Sequence, residues 1–238
     1  MNKKLVINNM DESVKKLVNI LKNSNEQFRI CIDSNIGGGK STLLELLSKI
    51  PELNNLTEFL FEPVERWQNI GHYNLLELFY KDQQKYSYIF QTMTVITRME
   101  MHDNANKEKF IIGERSWLTD KNVFVEQLYK DKMINDVEYH CYNEWFNYWS
   151  KKSKLDGILY IDTDPKECYR RKHELRKREE EESIPLIYLE NLDNRHKEWL
   201  NNETIPIEKV NGNVNFKDDQ QELSKIIDSI TRLLQKIK

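Results

Sequence analysis

The residues best suited to chemistry stand in one short stretch. Gly37, Gly38 and Gly39 are adjacent, and Lys40, Ser41 and Thr42 follow directly. With only 7 glycines in 238 residues, the chain concentrates its backbone freedom at this turn. Small residues let backbone N–H groups converge on phosphate oxygens, and the start of a helix adds partial positive charge there. A lysine in this position reaches the β- and γ-phosphates of a nucleoside triphosphate, and the serine hydroxyl ligates Mg²⁺. The pattern G-x-x-x-x-G-K-[ST] asks for glycine where this chain has Ser34. The plain alternative is a glycine turn that merely joins a strand to a helix.

Further reactive groups lie elsewhere. Glu62 precedes Pro63, whose fixed φ stiffens the turn and suits a positioned proton acceptor. Glu114 and Arg115 follow Ile111-Ile112-Gly113: the carboxylate could hold Mg²⁺ and the guanidinium could clamp a phosphate. A local ion pair would be the plain reading. Arginine is scarce in this chain, yet Arg170, Arg171, Arg176 and Arg178 cluster ahead of Glu179–Glu182. They read either as a solvated helix of ion pairs or as a lid of bidentate phosphate donors. Trp67, Phe90 and Gln91 suit a flat base and its edge, although aromatics on helices usually belong to a core. Tyr139, Tyr142, Trp145, Phe146 and Trp149 recur at helical spacing and read as core or a subunit contact.

These groups need a scaffold. Apolar runs at 28–33, 57–61, 110–114, 157–162 and 205–210 read as buried strands. Helical stretches lie between them, at about 40–48, 74–80, 83–102, 117–129, 136–152, 165–182, 186–201 and 218–237. Alternation of this kind predicts an α/β fold with a five-stranded parallel sheet covered on both faces. Ligands then gather beyond the carboxyl ends of the strands, which is where the glycine turn, Glu62, Glu114-Arg115 and the arginine cluster fall. Residues 27–238 read as a single domain with a lid at about 171–183, behind a polar leader over 1–26 with a possible helix at 12–22. The net charge of −3 argues against non-specific nucleic-acid binding. No apolar run approaches membrane-spanning length. Cys31, Cys141 and Cys168 fit neither a zinc site nor a disulfide framework, so the expected setting is a reducing one such as the cytoplasm.

Taken together, the residues resemble the deoxyribonucleoside kinase family. Asn35-Ile36-Gly37-Gly38-Gly39-Lys40-Ser41-Thr42 is similar to its phosphate loop, and Glu62-Pro63-Val64-Glu65-Arg66-Trp67 to its Glu-Pro-Val…Trp segment. Asn74 through Asp82, Phe90-Gln91, Glu114-Arg115-Ser116 and Ile184-Pro185-Leu186 match further family segments, as does His196…Trp199-Leu200. The resemblance implies a P-loop nucleoside kinase fold with a helical, arginine-rich lid. It implies transfer of the ATP γ-phosphoryl group to a deoxynucleoside 5′-hydroxyl, with Mg²⁺ and a homodimeric state. Glu62 would be the general base, and Arg115 would hold the hydroxyl and the incoming phosphoryl group. Ser41 and Glu114 would serve Mg²⁺, with Arg176 and Arg178 as lid arginines and Arg171 as a third candidate. Phe79 and Tyr80 fall in the sugar-site helix and would contact the substrate, and Tyr80, with Glu181, would bind the 3′-hydroxyl. Trp67 and Phe90 would flank the base and Gln91 would pair with it.

Arg98 and Asp120 match the polar pair that deoxycytidine and deoxyguanosine kinases place at the base edge, and Thr94 lines the same pocket. This implies that deoxyguanosine, deoxyadenosine or deoxycytidine is preferred over thymidine. A nucleoside monophosphate kinase would share the architecture but need extra cations for the acceptor phosphate. A nucleotide-binding subunit without turnover would not need Glu62, Glu114 and Arg115. Two departures stand out: Ser34 in the loop, and a lid about one residue longer between Arg171 and Arg176.

Overall fold

A computed structural model describes residues 3–176 and 178–237, with side chains from Asp11 onward except that of Arg176. The chain begins with α1 (Lys3–Lys22), β1 (Arg29–Asp33), α2 (Lys40–Ser48), α3 (Pro51–Leu56) and β2 (Thr57–Leu60). It continues through α4 (Val64–Gln68), α5 (Leu75–Lys81), α6 (Gln83–Asn104) and β3 (Phe110–Glu114). Then come α7 (Trp117–Thr119), a π-helical segment (Asp120–Val125), α8 (Glu126–Lys130), α9 (Asp136–Ser150) and β4 (Gly157–Asp162). α10 (Pro165–Arg171) runs into a second π-helical segment (Lys172–Arg176) and a 3₁₀ turn (Glu179–Glu181). α11 (Leu186–Asn202), β5 (Ile207–Asn211) and α12 (Gln220–Ile237) complete it.

The five strands form one parallel sheet in the order β2-β3-β1-β4-β5. Their side chains alternate between two cores, as the two-residue period of a strand requires. Ile30, Ile32, Phe110, Ile112, Leu159 and Ile161 face the core shared with α1, α2 and α12. Cys31, Ile158 and Tyr160 face the opposite core, shared with α5, α6 and α9. β1 lies at the centre, paired with β3 and β4, so its carboxyl end opens where the chain path switches sides of the sheet.

The expected strands are all present, β5 beginning two residues late. Pro206 supplies no N–H, and the ladder starts after it, with Ile158 N donating to the Pro206 carbonyl at 3.0 Å. The expected 165–182 helix is not continuous. It ends at Arg171, widens into the π segment and turns back through the 3₁₀ turn. A π turn accommodates one residue more than an α turn. The four consecutive glutamates after Arg178 repel one another and disfavour a continued helix. The segment read as a polar leader is helical, and Val14, Leu17, Val18 and Leu21 join the core, mainly against α12. Spaced at i, i+3, i+4 and i+7, these four form one apolar face.

Candidate active site

The phosphate loop leaves β1 at Asp33 and enters α2 at Lys40. Gly37 and Gly39 take φ of +78° and +105°, which only glycine adopts without strain. A Cβ at Gly37 would lie 2.5 Å from the Cys168 carbonyl oxygen, and one at Gly38 would lie 2.4 Å from Ser34 Oγ. Ser34, where the motif asks for glycine, takes no positive φ, and so carries no strain of that kind. Its hydroxyl occupies the space beside Gly38 instead, donating to the Asn35 carbonyl at 3.1 Å. Asn35 ties the loop to α11 by donating to the Leu189 carbonyl at 2.7 Å. Ile36 is buried, and Thr42 lies in the first turn of α2.

Lys40 is buried, its Nζ donating to the carbonyls of Asn35 at 3.0 Å and Ser34 at 3.3 Å. Burial, and then the charge of Arg115, hold its ammonium down at about 8, although Glu62, Glu114 and Asp33 pull the other way. Ser41 Oγ donates to Glu114 Oε1 at 2.6 Å. Magnesium favours hard oxygens and takes much of its shell from phosphate and water. A hydroxyl beside a carboxylate at the mouth of a phosphate loop fits that requirement.

Behind the loop, Glu62, Arg98, Arg115 and Asp120 form one charged cluster. Glu62 Oε1 accepts from Arg98 Nη2 at 3.2 Å and lies 3.1 Å from Arg115 Nε. Arg98 Nε donates to Asp120 Oδ2 at 2.8 Å, and its Nη1 donates to the Glu114 carbonyl at 2.7 Å. Burial opposes the Arg98 charge, but Asp120 and Glu62 more than compensate and raise its pKa. Arg115 holds a positive φ of 62° and stacks its guanidinium on Phe124, 4.6 Å from the ring centre. Such a backbone costs on the order of 1 kcal/mol and aims this side chain at Glu62.

A cavity opens over this cluster. Trp67, Tyr80, Phe90, Gln91, Thr94, Arg98, Asp120 and Glu181 are among the residues that line it. Trp67 and Phe90 meet edge to face at 5.6 Å. Phe79 does not line the cavity. It stacks behind Phe90 at 4.5 Å and is buried, so its expected substrate contact is corrected to a supporting one. A second cavity, lined by Ser41, Glu114, Pro63 and Arg66, shares Glu62 and Arg178 with the first.

The arginine cluster divides. Arg170 is half exposed and pairs with Glu167 and Glu174, as a solvated helix would have it. Arg171 Nε donates to Glu167 Oε1 at 2.7 Å, and its Nη1 lies 3.8 Å from where a Gly39 Cβ would stand. Arg178 Nη1 donates to Glu181 Oε1 at 2.9 Å. The Arg176 side chain lies outside the described residues.

Several site neighbours were given no role by the sequence. Asp33 accepts from the Thr119 hydroxyl at 2.5 Å and from Ser34 N at 2.8 Å, and its Oδ1 lies 3.4 Å from His196 Nε2. Burial alone would raise its carboxyl, yet His196, Arg115 and Thr119 together hold it at about 2. Phe216, from the loop before α12, comes within 2.9 Å of a Gly39 Cβ position. Thr163 donates to the Gly38 carbonyl at 3.0 Å, and its place just past β4 was the one clue available.

Residues 30–235 match the family model described as deoxynucleoside kinase. A probable deoxycytidine kinase of Fowlpox virus is 37% identical over 211 residues, covering 85% of this chain and 86% of that protein. Mitochondrial thymidine kinase 2 of Homo sapiens is 36% identical over 173 residues, covering 72% of this chain and 63% of that protein. Mitochondrial deoxyguanosine kinase of Xenopus laevis is 33% identical over 205 residues, covering 75% of each chain.

Proposed function

The chain belongs to the deoxynucleoside kinase family of ATP-dependent phosphotransferases, and on that premise we propose how its residues divide the work. The acceptor is the 5′-hydroxyl of a deoxynucleoside seated in the enclosed cavity. Glu62 takes the hydroxyl proton, and Arg115 holds the hydroxyl and the arriving phosphoryl group. Lys40 and the N–H groups of residues 35–42 hold the donor phosphates. Arg176 and Arg178 stabilise charge on the transferred group, with Arg171 as a third donor. Ser41 and Glu114 hold Mg²⁺, which when bound neutralises phosphate charge. Tyr80 and Glu181 bind the 3′-hydroxyl. Trp67 and Phe90 flank the base, and Gln91 pairs with its edge.

The observation that carries this reading is the position of Glu62. It lines both the cavity over the charged cluster and the cavity that runs to Ser41 and Glu114. A carboxylate on that shared wall suits deprotonation of a hydroxyl and adds no cation for a second acceptor phosphate. Glu62→Gln keeps the shape and removes the proton acceptor. We expect it to bind deoxynucleoside normally and to lose about 10²–10⁴-fold in kcat. Near-full turnover in this variant refutes the general-base role.

The buried Arg98–Asp120 pair supports a preference for deoxyguanosine, deoxyadenosine or deoxycytidine over thymidine. It offers polar groups that a purine or cytosine edge can match. A homodimer is supported by exposed Ile89 and Ile96 on α6 and by Val137, Trp145 and Tyr148 on the adjacent α9. A cytoplasmic setting is supported by three unpaired cysteines. Among the described residues, no helix is long and apolar enough to cross a membrane.

A further inference from the structure

Lys172 is a buried cation to which the reaction described above gives no part. It opens the π-helical segment after α10 and is almost wholly enclosed, at 2% exposure. Its Nζ donates to the carbonyls of Glu181 at 2.6 Å, Ile184 at 3.1 Å and Glu182 at 3.3 Å, and lies 3.3 Å from His173 Nε2. An ammonium has three N–H bonds, and here three carbonyls meet them. These carbonyls lie where the 3₁₀ turn ends, and that of Glu181 also accepts from Ile184 N at 3.1 Å.

The same short arm is fixed a second time from across the cavity. Glu180 Oε1 accepts from Gln68 Nε2 at 2.6 Å and from Asn74 Nδ2 at 3.0 Å. Glu181 stands between these two attachments. Its carbonyl is held by Lys172, and the residue lines the cavity that Tyr80 also lines. A longer or shifted arm would move the Glu181 carboxylate, and hydrogen bonds of this type weaken steeply with misplacement.

We propose that Lys172 is a positioning residue for acceptor recognition: by holding the carbonyls of Glu181, Glu182 and Ile184, it sets the Glu181 carboxylate to read the 3′-hydroxyl of the sugar. The inference rests on the reading of Glu181 as the 3′-hydroxyl partner. It assigns Lys172 to discrimination between 2′-deoxynucleosides and 2′,3′-dideoxynucleosides bearing the same base. A merely structural lysine would affect both substrates alike.

The test is the ratio of kcat/KM for a 2′-deoxynucleoside to that for its 2′,3′-dideoxy analogue, measured on the full chain. Four proteins are compared: wild type, Lys172→Met, Glu181→Ala and the double variant. Lys172→Met should lower the ratio about tenfold, the scale of one charge-assisted hydrogen bond lost. Adding it to Glu181→Ala should change the ratio no further. Lys172→Arg keeps the charge but cannot place one nitrogen on three carbonyls, so it should lower the ratio too. An unchanged ratio in Lys172→Met overturns the proposal, as does an unchanged ratio in Lys172→Arg if the methionine variant does not fold. A reduced ratio in Glu181→Ala beside an unchanged one in the Lys172 variants removes only the role of Lys172. An unchanged ratio in Glu181→Ala removes the reading of Glu181, and the proposal with it.

Discussion

The donor and acceptor halves of the site are built from different material. The phosphate cradle is mostly backbone. It occupies one uninterrupted run from Ser34 to Ser41, and the space a glycine Cβ would need is already filled at Gly37, Gly38 and Gly39. The cavity proposed for the acceptor is lined by side chains from the turn after β2, α4, α5, α6, the turn after β3, the first π-helical segment and the lid arm, with Ile36 from the phosphate loop. Its charges are matched in advance: Arg98 to Asp120 and Glu62, Arg178 to Glu181. A backbone cradle serves the phosphates common to every donor. A cavity of side chains can be retuned one residue at a time without disturbing that cradle.

This contrast is open to direct attack. The largest effect should come from Lys40→Met, which removes a buried side-chain cation from the cradle. We expect kcat to fall by about 10²–10³-fold while deoxynucleoside affinity changes little, as measured by steady-state rates and titration calorimetry. A comparable loss of nucleoside affinity would show that the halves are not separable.

Substitution of the glycines should sharpen the comparison through stability. Gly37→Ala meets both a positive φ and the Cys168 carbonyl, and should cost about 2–4 kcal/mol in urea unfolding. Gly71→Ala has the positive φ of 60° but no atom within 4 Å, and should cost about 1 kcal/mol. Equal costs would mean that the fit at Gly37 is looser than described.

A smaller effect concerns the base of the cradle. Asp33 titrates at about 2 in the folded chain, against an ordinary value of 3.8. Between these pH values the unfolded chain binds more protons, so stability rises with pH there. The contribution is complete above about pH 4 and is lost as pH falls through 2. It amounts to roughly 2 kcal/mol. Denaturant unfolding at pH 5 and pH 3 should show this slope in wild type and a flatter one in Asp33→Asn.

The same contrast governs what could be read from the chain itself. The five strands and the phosphate loop were legible because each is encoded by neighbours: an apolar run, a glycine cluster, a lysine and a serine. The placement of Glu62, Glu114 and Arg115 beside that loop followed from the rule that ligands gather at strand ends. Contacts set by distant packing were not legible. Phe79 and Phe90 look alike in sequence, and only packing puts one on the cavity wall and the other behind it. His196 and Phe216 reach the loop from segments more than 150 residues away in the sequence. Lys172 sits in a run of charges that suggests a solvated helix, yet it is buried where the π-helical segment begins.

On the proposed reading, the buried Arg98–Asp120 pair sets the choice of base. The most direct measurement is ATP-dependent phosphorylation of deoxyguanosine, deoxyadenosine, deoxycytidine and thymidine, compared as kcat/KM under one set of conditions. We predict that thymidine is the poorest of the four. A clear preference for thymidine would contradict the claim.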